Sequence, residues 1–223
     1  MKSIVLVACL MLLGAEGNVA YQEQPAEARQ EKKAVKEMPP GWKLRLDKAD
    51  AKPEEFQFWT MPPGWHMTTG PAGIVYDPAQ VAKGEYRLES ESFLFPPGEH
   101  REGYGVFFAG RNLGDDNQAY VYFLLRRDGR FLIKQRNGKE TAELVAWTEH
   151  PAIVKHDGSD RTAKNVIGIE VSADTVDFIV NGQKVTSLPR ARVPTDGVVG
   201  LRINHHVNVH VTNLAIKPRG GKD

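Results

Sequence analysis

From about residue 72 onward, apolar and polar positions alternate with a period of two, and turn residues recur at short intervals. In the stretch GEYRLESESFLF, Tyr86, Leu88, Ser90, Ser92 and Leu94 share one strand face, while Arg87, Glu89, Glu91 and Phe93 share the other. GYGVFFAG reads as a buried strand punctuated by glycine, and residues 118–147 read as a meander. Its turns fall at Asp128-Gly129 and Asn137-Gly138, pairs suited to type I′ hairpins because both central residues need positive φ. A polar loop, 149–164, precedes three strands that turn at Ala173-Asp174 and Asn181-Gly182. GVVGLRI and VHVTNLAIK close the pattern. With about a dozen short antiparallel strands and no helical periodicity, the chain is expected to be all-β, a sandwich of two antiparallel sheets.

The first forty residues follow different rules. Lys2 followed by the apolar run Ile4–Leu13 predicts a signal peptide over residues 1–20, with small residues for cleavage at Ala15-Glu16-Gly17 and Asn18-Val19-Ala20; a buried N-terminal helix is the alternative. The expected location is secreted or periplasmic. The sole cysteine, Cys9, lies in this run, so the mature chain has neither disulfide nor thiolate chemistry. Leu6-Val7-Ala8-Cys9 loosely matches a lipoprotein box, which makes a lipid anchor at Cys9 the minority option. Residues 21–40 are polar and predict a flexible linker, or a short surface helix over 26–36; residues 41–217 form the sandwich, and 218–223 a disordered tail. Met-Pro-Pro-Gly-Trp occurs twice, at Met38–Trp42 and Met61–Trp65, each a turn followed by a tryptophan anchor. A net charge of +1 gives no general pull toward nucleic acid, and Arg126, Arg127 and Arg130 surround a hairpin tip. A monomer with no transmembrane segment after signal cleavage is expected.

The order of several segments resembles the concanavalin A-like lectin/glucanase jelly roll, and within it the laminin-G-like and 3-keto-disaccharide hydrolase domains. These segments are Gly103–Phe108, Tyr120–Phe123, Asp128–Phe131, Asn165–Ile167, Phe178–Gly182, Gly197–Leu201 and Val211–Ile216, so the resemblance covers roughly residues 56–217. It implies a jelly-roll β-sandwich and a function involving sugars. Binding of a carbohydrate without catalysis is the first expectation, a glycoside hydrolase the second, and an extracellular interaction or spacer domain the third.

Four constellations carry candidate chemistry. Glu89 and Glu91, at i and i+2 on one strand, stand about 7 Å apart, within the range of glycosidase carboxylate pairs. Family-16 glucanases resemble this stretch through a Glu-x-Asp-x-x-Glu strand motif, but the third acid is replaced by Leu94. With His206 as an acid–base group, these two are the candidate catalytic residues; a solvated face balanced by Arg87 is the alternative. Asn112, Asp115 and Asp116 supply hard oxygens for a possible calcium site, or are plain turn residues; no other cofactor is expected. Sugar recognition needs a flat ring and planar polar groups. The rings are sought among Trp59, Trp65, Tyr104, Tyr120, Tyr122 and Trp147, and the ligand-binding set is Arg87, Tyr104, Arg111, Asn117, Tyr122, Arg202, Asn204 and His206. Finally, in RINHHVNVHV the resemblance implies a bend near His205–Asn208, with His206 at the sandwich end and His210 on the last strand.

Overall fold

The computed structural model describes residues 34–96 and 100–219. The expected signal peptide, most of the expected linker and all but the first two residues of the expected tail lie outside the described residues. Fourteen strands form two seven-stranded antiparallel sheets. In chain order they are β1 (Lys43–Leu46), β2 (Phe56–Thr60), β3 (Trp65–Thr69), β4 (Gly73–Ala82), β5 (Tyr86–Leu94), β6 (Gly103–Arg111) and β7 (Ala119–Arg126). There follow β8 (Arg130–Asn137), β9 (Glu140–Glu149), β10 (Ala163–Val171), β11 (Thr175–Val180), β12 (Gln183–Pro189), β13 (Gly197–Ile203) and β14 (Asn208–Pro218). The first sheet has the order β1-β4-β13-β6-β7-β8-β9, and the second β12-β11-β10-β5-β14-β3-β2. No α-helix occurs among the described residues, and none of their helices is long and apolar enough to cross a membrane.

Period-two alternation places the core. Val75, Val106, Phe108, Val121, Phe123 and Leu201 point inward from the first sheet, against Leu88, Leu94, Ile167, Ile169, Phe178 and Val209 of the second. On β5 the expected division holds: Tyr86, Leu88, Ser90, Ser92 and Leu94 are buried, and the intervening side chains are half exposed. The first sheet is also buried on its outer face. There Ile74, Tyr76, Phe107, Tyr120, Tyr122, Leu124 and Leu132 make a second apolar cluster. Strands apolar on both faces read as continuous hydrophobic runs, which is why YVYFLL of β7 is unbroken.

The turns follow glycine. Asn181 and Gly182 both have positive φ and form the two-residue connection expected of a type I′ turn. The β8–β9 turn differs. Asn137 pairs with Glu140, so Gly138-Lys139 is central and Gly138 has the only positive φ of the pair. The β7–β8 connection is three residues long and ends on Gly129, also at positive φ.

Residues just before 41 also contact the sandwich. Val35 and Thr60 exchange backbone hydrogen bonds of 2.9 Å, and Met38 packs against the core. Trp42 and Trp65, the anchors of the duplicated motif, pack on each other with ring centroids 4.5 Å apart. Trp42 leads into β1 of the first sheet and Trp65 begins β3 of the second, so their contact joins the two sheets along one edge.

Asn165 on β10 fastens the polar loop to the sandwich. It is fully buried; its Nδ2 donates to Val154 O at 3.1 Å and Tyr104 Oη at 3.2 Å. Its Oδ1 accepts from Val154 N and from Asn181 Nδ2, both at 2.9 Å. Asn165→Ala would strand several of these groups away from water. The expected cost is about 2–3 kcal/mol, read as a lower urea midpoint with an unchanged m-value.

Candidate functional site

The outer face of the first sheet supplies the most developed site. On β1, Leu44 and Leu46 turn toward the core, so Lys43 and Arg45 fall on the outer side, and Asp47 follows. Asp47 reaches Arg202 near the end of β13, with both carboxylate oxygens accepting from its two terminal guanidinium nitrogens at 2.5 and 2.6 Å. Arg136 of β8 approaches the same carboxylate at 3.5 Å. Arg202 is only 5% exposed, and its guanidinium lies over the Tyr122 ring at 5.4 Å. Arg136 lies 5.9 Å from the centre of the Tyr120 ring. Arg45 donates to Leu113 O at 3.3 Å and faces Asp116 at 3.8 Å.

Above this layer opens a cavity of about 940 Å³. Its lining includes Trp42, Arg45, Asp47, Tyr76, Gln118, Arg136 and Lys139. Tyr120, Tyr122 and Arg202 lie beneath it. Eight buried side-chain polar atoms lack a partner among the described residues, and four belong to this cluster: Arg45 Nε, Arg136 Nε, Arg202 Nε and Tyr120 Oη. Unpaired buried donors are costly, so their concentration in one place marks it.

The electrostatics are set by the arginines. Burial pushes the Asp47 pKa upward and is the largest single influence, but Arg202's hydrogen bonds and charge, with the charges of Arg136 and Arg45, outweigh it and hold the carboxyl below its ordinary value. Burial raises Tyr122, with Arg202 opposing it, and likewise raises Tyr76 against Arg45. Both hydroxyls therefore remain protonated donors at neutral pH.

The residues singled out in the sequence do not gather at one place. Tyr122 and Arg202 belong to this site. Tyr104 does not: it lies between the sheets at 1% exposure, and burial pushes its hydroxyl up to about 12. Arg87 pairs with Glu89 at 2.9 Å, and Glu91 bonds Lys164 at 2.6 Å and Thr212 at 2.7 Å, all on the outer face of the second sheet. Arg111 and Asn117 are exposed at the β6–β7 connection.

The chain does bend where the last two strands meet. β13 ends at Ile203, β14 starts at Asn208, and His206 sits in the turn with φ of 53°. Asn204 donates to Glu102 at 3.3 Å, His205 approaches Glu102 at 3.0 Å, and His206 stacks on His100 at 4.2 Å. His205 and His206 line a second cavity, of about 490 Å³, that shares Asp47 with the first. Glu91 pairs with Asn213 and Glu89 with Ala215, seven and nine residues along from His206, so the expected acid–base trio is spread over roughly 20–30 Å. His210 bonds Pro63 O at 2.9 Å beside the second Met-Pro-Pro-Gly-Trp turn.

Asn112, Asp115 and Asp116 form a turn closed by Asp115 N donating to Asn112 O at 2.9 Å. The Asp116 side chain is 92% exposed and faces Arg45 rather than the other two. Among the described residues no group of three or more His, Cys, Asp or Glu could hold a metal ion. Sequence reasoning missed Arg45, Asp47 and Arg136. The signal for the first two was present, since KLRLD alternates with the charged positions in register.

No family model and no curated protein matches the sequence. Solved structures do match the fold. The carbohydrate-binding module CBM66 from Bacillus subtilis superposes with a TM-score of 0.58 at 12% identity, over 79% of this chain and 95% of that one. The exoplasmic/lumenal domain of VIP36 in its Ca2+/Man-bound form gives 0.52 at 11%, over 83% and 86%. A Bacteroides ovatus GH16 protein in complex with a G4G4G3G product gives 0.52 at 7%, over 79% and 94%. The fold is the concanavalin A-like lectin/glucanase jelly roll.

The Asp47 pair has a pH signature. A carboxylate whose folded pKa is depressed contributes stability above its unfolded pKa, near 3.8, and loses it as pH falls through the folded value. Asp47→Asn should therefore unfold about 3 kcal/mol more easily at pH 7, because Arg202 loses its counter-charge. The gap between variant and parent should close below the ordinary carboxylate range, as measured by denaturant melts across pH 2–7.

Proposed function

We propose that the domain binds a saccharide at the outer face of its first sheet and performs no catalysis there. The observation that carries this reading is the cavity itself: Trp42, planar guanidinium groups and the Gln118 amide line about 940 Å³, and two of the lining residues, Arg45 and Arg136, each have a buried donor without a partner. A sugar presents an apolar face for the ring of Trp42 and paired hydroxyls for Arg136, Gln118 and Asp47. Two neighbours on this fold support the reading by their names, one a carbohydrate-binding module and one a Ca2+/Man-bound domain.

Chemistry argues for binding over turnover. A glycosidase needs a carboxylic acid of raised pKa opposite a carboxylate. Here Asp47 is tied to Arg202 and held ionised, and Asp116 is a solvent-exposed rim residue. Glu89 and Glu91 stand on the other sheet, each paired with a cation. The proposal requires no cofactor. The apolar run Ile4–Leu13 fits a binding domain exported from the cell.

Retention on a panel of immobilised glycans, with product analysis of the same incubations, tests this. Arg136→Ala and Gln118→Ala should each weaken retention about tenfold, the loss of one good hydrogen-bonding group. Glu89→Gln and Glu91→Gln should leave it unchanged, as should Ca2+ or EDTA. Release of cleaved sugar that disappears in the Glu89→Gln or Glu91→Gln variant would replace the binding reading with a hydrolase.

A further inference from the structure

The charges lining the cavity are unbalanced. Lys43, Arg45, Lys48, Arg136 and Lys139 face Asp47 and Asp116, five cations against two anions. The whole chain carries 29 Lys and Arg against 28 Asp and Glu, for a net charge of +1. An excess of three positive charges in one cavity is thus a local arrangement, not a sample of the general surface.

The imbalance extends to the floor. Asp47 is the one carboxylate shared by Arg202 and Arg136, and its charge also acts on Arg45. Asp116, the other anion, is solvent-exposed and 3.8 Å from Arg45, so it compensates little. Arg202 lies beneath, and its Nε, like those of Arg45 and Arg136, is buried without an acceptor. Cations held in partial burial with too few counter-charges favour an incoming anion. Guanidinium is suited to the task, since its planar fork matches carboxylate and sulfate oxygens two at a time. Arg202 already holds a carboxylate in this way, that of Asp47.

We propose that the saccharide bound in this cavity is an acidic one, bearing a carboxylate or sulfate ester that lies among Arg45, Arg136 and Lys139. This rests on the reading of the cavity as a saccharide site and names the ligand class. Lys43, Lys48 and Lys139 are exposed and set the long-range attraction, whereas Arg45 and Arg136 are half-buried and fix the anion.

Isothermal titration of the purified protein with a polyuronate, a sulfated polysaccharide and neutral dextran tests the proposal, at low and high salt. The acidic chains should bind, with affinity falling steeply as salt rises, and dextran should bind at least tenfold more weakly. The combined variant Lys43→Gln, Lys48→Gln and Lys139→Gln touches only exposed side chains, and its melting temperature verifies folding. It should lose acidic binding about tenfold or more. A control removing the same charge elsewhere, Lys164→Gln, Lys184→Gln and Lys217→Gln, should not. Binding of one acidic chain and not the other would identify the anion as carboxylate or sulfate. Equal loss in both triple variants, or neutral binding as tight as acidic and indifferent to the cavity lysines, would overturn the proposal while leaving a saccharide site. No binding of any glycan would remove both readings.

Discussion

The Asp47–Arg202 pair is the constraint around which the outer face of the first sheet is organised. Arg202 sits one residue before the end of β13 and is almost fully buried. A buried guanidinium there needs a partner, and Asp47 comes from the segment after β1, 155 positions away in sequence. Meeting that need draws the N-terminal segment over the sheet. Removing either partner leaves the other charge uncompensated, so such a pair specifies an arrangement more than it adds net stability. Arg136, Tyr120 and Tyr122 then pack around it, and the cavity is the space left between this layer, Trp42 and the loop through Leu113.

Much of the fold was legible because period-two alternation and glycine turns are local signals. β5 alternates so regularly that both of its faces could be assigned residue by residue, and Asn181-Gly182 turned as its φ requirements dictate. Asn137-Gly138 was displaced by one residue because Gly138 alone supplies the positive φ that the turn uses. The site was less legible. Tyr122 and Arg202 were recognised as chemistry, but RINHHVNVHV drew attention along the chain from Arg202 to His206, whereas Arg202's partner lies far upstream. Long-range pairing leaves no mark on local periodicity. Tyr104 illustrates the converse: a tyrosine on a buried strand resembles a ligand-stacking ring until its hydroxyl is found bonded to Asn165.

The second sheet shows what an unspecialised outer face looks like. Its exposed positions on β5 and β10 carry charges that neutralise one another in short pairs, Arg87 with Glu89 and Lys164 with Glu91. The outer face of the first sheet instead carries an apolar layer, buried donors without partners and surplus cations. The two outer faces of the sandwich thus differ in how far their polar groups are already satisfied: four unpartnered atoms cluster at the first, whereas the second has His210 Nδ1.

The duplicated Met-Pro-Pro-Gly-Trp motif divides its burdens unequally. In the second copy, Gly64 has φ of +98°, and a Cβ built there would stand 1.9 Å from the carbonyl oxygen of Val211, so this turn is locked onto β14. In the first copy, Gly41 also has positive φ, but nothing lies within 4 Å of its Cβ position. The second copy is pinned at its glycine and the first only by its flanking Met38 and Trp42, and it is the first that presents Trp42 to the cavity. Open space thus lies beside Gly41 itself, although Met38 and Trp42 on either side of it are packed against the core. An outgrowth of the chain at Gly41 would therefore enter open space beside the cavity, whereas the same outgrowth at Gly64 would collide with β14.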